Sequence, residues 1–167
     1  MYRGEADWEA IASATQIIKS HDILVLGNGD VRSLDEAINR IQASGVDGIL
    51  IGRAAQGNPW IFQEKNLIRK AIANSSCMSL SEPTVPLEMR FEMMIEHATL
   101  FESFNQLSSF PRMRKHLGWY CNGFPFAANM RANMVKTNNS QDVKRLVDEY
   151  ISKHVLTEAK VLIATPL

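Results

Sequence analysis

Apolar positions along the first part of the chain follow two rhythms. Over residues 7–19, Trp8, Ile11, Ala12, Ile17 and Ile18 fall at helical spacing, which predicts an amphipathic helix. Residues 23–26 (ILVL) and 46–51 (VDGILI) are short apolar runs of strand length, and the first is expected to have no solvated face. Between them Ser33-Leu34-Asp35-Glu36 reads as a capping box, the Ser33 hydroxyl accepting from the amide three residues on while Glu36 reaches back. Leu34, Ala37, Ile38 and Ile41 then form one apolar stripe, and Gly45 supplies a left-handed stop. Asn58-Pro59 predicts another helix, with Asn58 as cap and Pro59 in the first turn, running to about residue 73.

A strand, helix and strand with both strands buried is the parallel crossover unit, and its hand is almost always right. Two glycine-bearing turns, Gly27-Asn28-Gly29-Asp30 and Gly52-Arg53, are thereby expected side by side on one carboxyl edge. Open α/β sheets and (β/α)8 barrels bind ligands at that edge.

The rhythm changes after a Ser- and Pro-rich stretch at 74–86 (NSSCMSLSEPTVP), which reads as a linker. Helical patterns follow at 87–104, 110–120, 127–135 and 141–154, with a break at Asn122-Gly123 and Ser140 as the cap of the last. Val143, Leu146, Val147, Tyr150 and Ile151 give that helix one apolar face, and Met89, Met93 and Met94 are expected in the core or filling gaps. The organisation expected is α/β at 1–73, an all-α domain at 87–155 and a tail at 156–167.

Composition narrows the function classes. At 167 residues, 46% hydrophobic and 22% charged, the chain has the make-up of a globular protein. No apolar run approaches a membrane span and no secretory leader pattern opens the chain, so a cytoplasmic protein without a membrane partner is expected. Cys77 and Cys121 lack CxxC spacing and read as reduced thiols. His21, His97, His116 and His154 lack ligand-spaced companions, so no metal site is expected. Net charge is zero, which leaves any anionic partner to a local patch.

Two such patches stand out. Gly29 and Gly52 expose backbone amides near expected helix amino termini, and Arg53 can grip a phosphate through paired hydrogen bonds. Asn28 and Asp30 can order the loop or meet a ligand hydroxyl. Plain tight turns with Arg53 as a solvated charge account for the same residues, and spacing does not separate the two readings. A dinucleotide fingerprint fits poorly, because Arg32 stands where a third glycine is needed. In the helical part Arg112, Lys115 and Trp119 share one side, with Arg114 and His116 close by, while Met113, Leu117 and Tyr120 share the side that can face a core. A basic side beside an aromatic suits RNA, and equally suits a solvated helix face.

Longer strings carry a resemblance. YRGEADW at 2–8, GNGD at 27–30, GVDGILIGRAAQGNPWIF at 45–62, and MRKHLGWYCNGFP at 113–125 followed by Met130-Arg131 resemble the tRNA-dihydrouridine synthases, in their bacterial B-type branch. The resemblance implies an FMN-dependent enzyme that reduces uridines of tRNA to dihydrouridine with NADPH, on a (β/α)8 barrel followed by a helical bundle. It puts Asn28, Gly29 and Asp30 on the cofactor loop after the seventh strand, and Gly52 and Arg53 on the loop after the eighth, together gripping the FMN phosphate and ribityl chain. It makes the helical domain a tRNA holder, with Arg112, Arg114 and Lys115 as candidate contacts.

The family's proline-methionine-alanine segment, its asparagine-cysteine-glycine-cysteine-proline motif, its active-site lysine and its upstream histidine have no counterpart. The chain is therefore expected to match the carboxyl-terminal part, about the last two strands of the barrel, with no catalytic residue. On that expectation it has open, sticky sheet edges, weak FMN binding and no reductase activity alone. Two other readings are another FMN barrel oxidoreductase of small pyrimidines, which does not predict the helical part, and a non-catalytic RNA-binding module.

Overall fold

The computed structural model describes residues 4–18, 22–63, 65–66, 69–70, 84–104 and 109–155. The chain divides into two compact units, Met1–Thr84 and Val85–Leu167.

In the first unit, α1 (Trp8–Ile18) begins where the Asp7 carboxylate accepts from the amides of Glu9 and Ala10 at 3.1 and 2.9 Å. Strand β1 (Leu26–Asn28), helix α2 (Leu34–Ser44) and strand β2 (Gly48–Leu50) follow, and the strands pair in parallel with Leu26 opposite Gly48 and Asn28 opposite Leu50. The expected caps of α2 are present. Ser33 Oγ accepts from the Glu36 amide at 3.1 Å, and the Gly45 amide, at φ 70°, donates to the Ile41 carbonyl at 2.8 Å. The Glu36 carboxylate reaches back one residue further than a standard box, accepting from the Arg32 amide at 3.0 Å. Trp8, Val31, Ala37 and Val46 form the core, packed round by Ile11, Val25, Ile41, Ile49 and others.

The first strand departs from expectation. It starts at Leu26, not residue 23, and Leu24 is 80% exposed with Ile23, Leu26 and Leu50 also open. Alternation explains this: Val25 faces the Trp8 core, which turns Leu24 and Leu26 the other way. The ladder is extended by Asp47, whose amide donates to the Val25 carbonyl and whose carboxylate accepts from the Val25 amide, both at 2.8 Å. Asn58 is not a side-chain cap either. Pro59–Phe62 forms a 3-10 turn whose amides are met at closer sequence spacing, as from Ile61 to the Asn58 carbonyl. Helical backbone is present at 65–66 and 69–70, while 71–73 and most of the expected linker lie outside the described residues.

The second unit holds α3 (Leu87–Phe104), a 3-10 turn at Phe110–Arg112, α4 (Arg114–Tyr120), α5 (Ala127–Met134) and α6 (Ser140–Tyr150), which runs into a π-helical turn at Ile151–Val155. Met94, Met113, Leu117, Met134, Val143 and Val147 fill its core, as the stripes predict, but Met89 is exposed. The cap of α6 is Asn139 in place of Ser140. Asn139 has the extended backbone of a cap, and its side chain accepts from the Asp142 amide at 2.7 Å.

Candidate functional site

Parallel pairing carries the ends of β1 and β2 to one edge, so the two glycine-bearing loops meet. Asn28, Gly29, Asp30, Gly52 and Arg53 all line a single open cavity of about 540 Å³ there. Gly29 takes φ 136°, a region kept for glycine, and its carbonyl accepts from Trp8 Nε1 at 3.2 Å. Asp30 uses both carboxylate oxygens. One accepts from the Ala6 amide at 2.9 Å, and the other is ion-paired with the Arg53 guanidinium from the neighbouring loop. Asp30 thus fastens the chain entering α1 and the second loop to the first.

Arg53 stays 76% exposed, so the remaining donors of its planar fork point to water. Arg32, also exposed, adds a second cation at the cavity. The helix amino terminus contributes less than expected. The first turn of α2 holds Asp35 and Glu36, which already meet its dipole, and the second loop leads only into a three-residue 3-10 turn, Arg53–Ala55. Arg32 and Arg53, not helix ends, supply the positive charge at this cavity.

In the helical unit Arg112 and Lys115 are exposed, whereas Arg114 is half-buried. Its Nε donates to the Thr137 carbonyl at 2.8 Å and its Nη2 to Asn138 Oδ1 at 2.9 Å, tying α4 to the turn after α5. Three of the five donors of that guanidinium are left for any other partner. Beside this face the rings of His97 and His116 lie tilted at 60° with centroids 5.6 Å apart, His97 Nδ1 lies 3.1 Å from the Tyr120 hydroxyl, and His116 meets Trp119 edge-on at 4.6 Å. Burial lowers the pKa of His97. Burial, then the charges of His97 and Lys115, lower that of His116.

Both histidines take a proton more readily in the unfolded chain than in the fold. Their contribution is complete above the ordinary value of 6.5 and is lost as pH falls through it toward the depressed folded values. The urea midpoint of the helical unit is expected to be lower at about pH 5 than at about pH 8, and the double variant His97→Gln/His116→Gln to flatten that difference. A midpoint drop unchanged in the double variant would assign it to the carboxylates.

Cys121 is fully buried, and burial raises its thiol pKa to about 11, so it is a poor nucleophile. No group of three potential metal ligands occurs among the described residues, and no helix among them is long and apolar enough to cross a membrane.

A family model described as Dihydrouridine synthase matches residues 1–157. The chain belongs to the dihydrouridine synthase family. Among curated relatives, tRNA-dihydrouridine synthase B of Pseudomonas aeruginosa is 37% identical over 143 residues, covering 85% of this chain and 39% of that protein. The Vibrio vulnificus protein of the same name is 35% identical over 147 residues, covering 87% and 41%. A probable tRNA-dihydrouridine synthase of Rickettsia conorii is 31% identical over 150 residues, covering 89% and 42%. The B-type resemblance of the strings is thus borne out. The chain spans about two fifths of the length of these relatives.

For a dihydrouridine synthase, the parallel strand–helix–strand unit is compatible with a (β/α)8 barrel. Sequence reasoning missed Arg32 and Asn58 as neighbours of the cavity. In the sequence Arg32 stands out only as the residue that spoils a glycine pattern. Its place two residues after Asp30 and one before the Ser33 cap is the signal that could have found it.

Proposed function

We propose that the chain serves an FMN-dependent tRNA-dihydrouridine synthase, reducing uridine in tRNA to dihydrouridine with NADPH. Its first unit stands for the last two strands of the barrel and grips the phosphate end of FMN, and its helical unit holds tRNA. The observation that carries the reading is the convergence of Asn28, Gly29, Asp30, Gly52 and Arg53 on one cavity in a chain of this family.

The residues fit a phosphate-bearing group. A Cβ on Gly52 would meet nothing, so the loop leaves room for close approach, and Arg53 and Arg32 supply charge. Asn28, exposed at the strand end, offers an amide to ribityl hydroxyls. Asp30 orients the arginine, one carboxylate oxygen holding the guanidinium and the other the Ala6 amide. When bound, FMN supplies hydride transfer. These residues bind and orient it, and none is assigned a catalytic role. In the helical unit Arg112 and Lys115 meet phosphates, and Arg114 fixes the loop beside them.

Titrating FMN and riboflavin against the purified chain tests the phosphate grip. FMN is expected to bind at least tenfold more tightly than riboflavin, and Arg53→Ala to remove about tenfold, the size of one charge-assisted contact. Equal binding of the two flavins, or an Arg53→Ala variant indistinguishable from the parent, would sink the reading.

A further inference from the structure

A second cavity, of about 350 Å³, opens in the helical unit between α5 and the end of α6. Its size is at the small end of the roughly 300–1,000 Å³ typical of small-ligand sites. Phe126, Asn129, Asn133, Glu149, Lys153 and His154 are among its walls.

Phe126 is the unusual member. It holds the left-handed conformation, φ 59°, in which a bulky residue is a true outlier, and the residue remains 56% exposed. Such strain persists where the surroundings select it. The ring is not stranded, however. It stacks on His154 at 4.4 Å and 22°, His154 leans on Tyr150 at 4.8 Å, and Tyr150 meets the core ring of Phe91 at 5.3 Å. The Tyr150 hydroxyl donates to the Pro125 carbonyl at 2.9 Å, next to Phe126. A file of rings thus runs from the core to water and ends on an open aromatic face. The π-helical turn Ile151–Val155 carries His154 into this file, and π turns concentrate at functional sites.

The charges say what the open face takes. Glu149 lines the cavity and is paired with Arg145 at 3.0 Å, so a phosphate inside would meet a carboxylate. A base has no charge to oppose, and its N–H groups suit that carboxylate and the amide oxygens of Asn129 and Asn133, one turn apart on α5. Lys153 contributes an ammonium near the backbone that such a base would trail.

We infer that this cavity is a nucleotide pocket for an unpaired RNA base stacked on Phe126. The inference rests on the tRNA reading of the helical unit and adds a site to it.

Phe126→Gly removes the ring while suiting the backbone, so the fold should survive it. Binding of a tRNA transcript and of a short oligouridylate to the full chain is measured by filter retention across salt concentrations. The variant is expected to lose roughly tenfold in affinity for both, the scale of one stacked base, with an unchanged salt slope because no phosphate contact is lost. Arg112→Glu/Lys115→Glu should instead flatten the slope. If Phe126→Gly binds both RNAs like the parent while the charge reversals weaken binding, the pocket is refuted and the tRNA reading stands. Loss of affinity with a flattened slope also refutes stacking. Failure of the parent chain to retain tRNA overturns the tRNA reading and the pocket with it.

Discussion

Gly29→Ala is expected to destabilise the first unit by on the order of 3 kcal/mol, the sum of backbone strain and a steric clash. The new methyl would lie 2.3 Å from the Ala6 Cβ, a separation real side chains do not show. The loop cannot move away cheaply. Its carbonyl holds the Trp8 indole, and the next residue holds the Ala6 amide through Asp30. The φ of 136° adds a cost that no repacking removes. Hydrogen exchange of the β1 and α2 amides reads the outcome, as lost protection. A second change separates the two causes: Ala6→Gly on top of Gly29→Ala should restore part of the protection by removing the clash, leaving the strain. Full protection in Gly29→Ala alone would mean that this loop is not held as described.

Leu117→Ala is expected to cost about 3 kcal/mol in the helical unit, within the range for fully buried leucines. Leu117 is inaccessible to water and sits in the cluster that includes Met94, Met113, Met134, Val143 and Val147. Methionines adapt to gaps, which pulls the value toward the lower part of the range. A urea midpoint followed by far-ultraviolet circular dichroism measures it, and a shift equivalent to less than about 1 kcal/mol would place Leu117 outside the core. By contrast, Leu24→Ala removes an exposed side chain and should leave the stability of the first unit nearly unmoved.

Where the sequence was legible, local chemistry agreed with packing. The Ser33 cap, the Gly45 stop and the stripe of Leu34, Ala37 and Ile38 each follow from a rule that spans only a few residues, and each is seen. The grouping of five loop residues round one cavity was legible too, because parallel pairing fixes which ends of two strands meet. What was not legible involves competition between neighbours. Asn139 and Ser140 are both good caps, and the sequence does not say which adopts the extended backbone. Arg112, Arg114 and Lys115 look alike in a string, and only the fold turns Arg114 toward Thr137 and Asn138. Asp30 reads as able to order the loop or to meet a ligand hydroxyl, and only the fold shows its carboxylate tying the loops together through the Ala6 amide and Arg53.

The pairing of Asp30 with Arg53 also acts as a filter. On the proposed phosphate reading an anion meets the outward donors of Arg53 while Asp30 stays on the guanidinium and offsets part of its charge, so singly charged, diffuse ions such as chloride are expected to gain little by arriving. A doubly charged oxyanion is expected to gain more from those outward donors without displacing Asp30, so a phosphate grip here would select for charge density before shape.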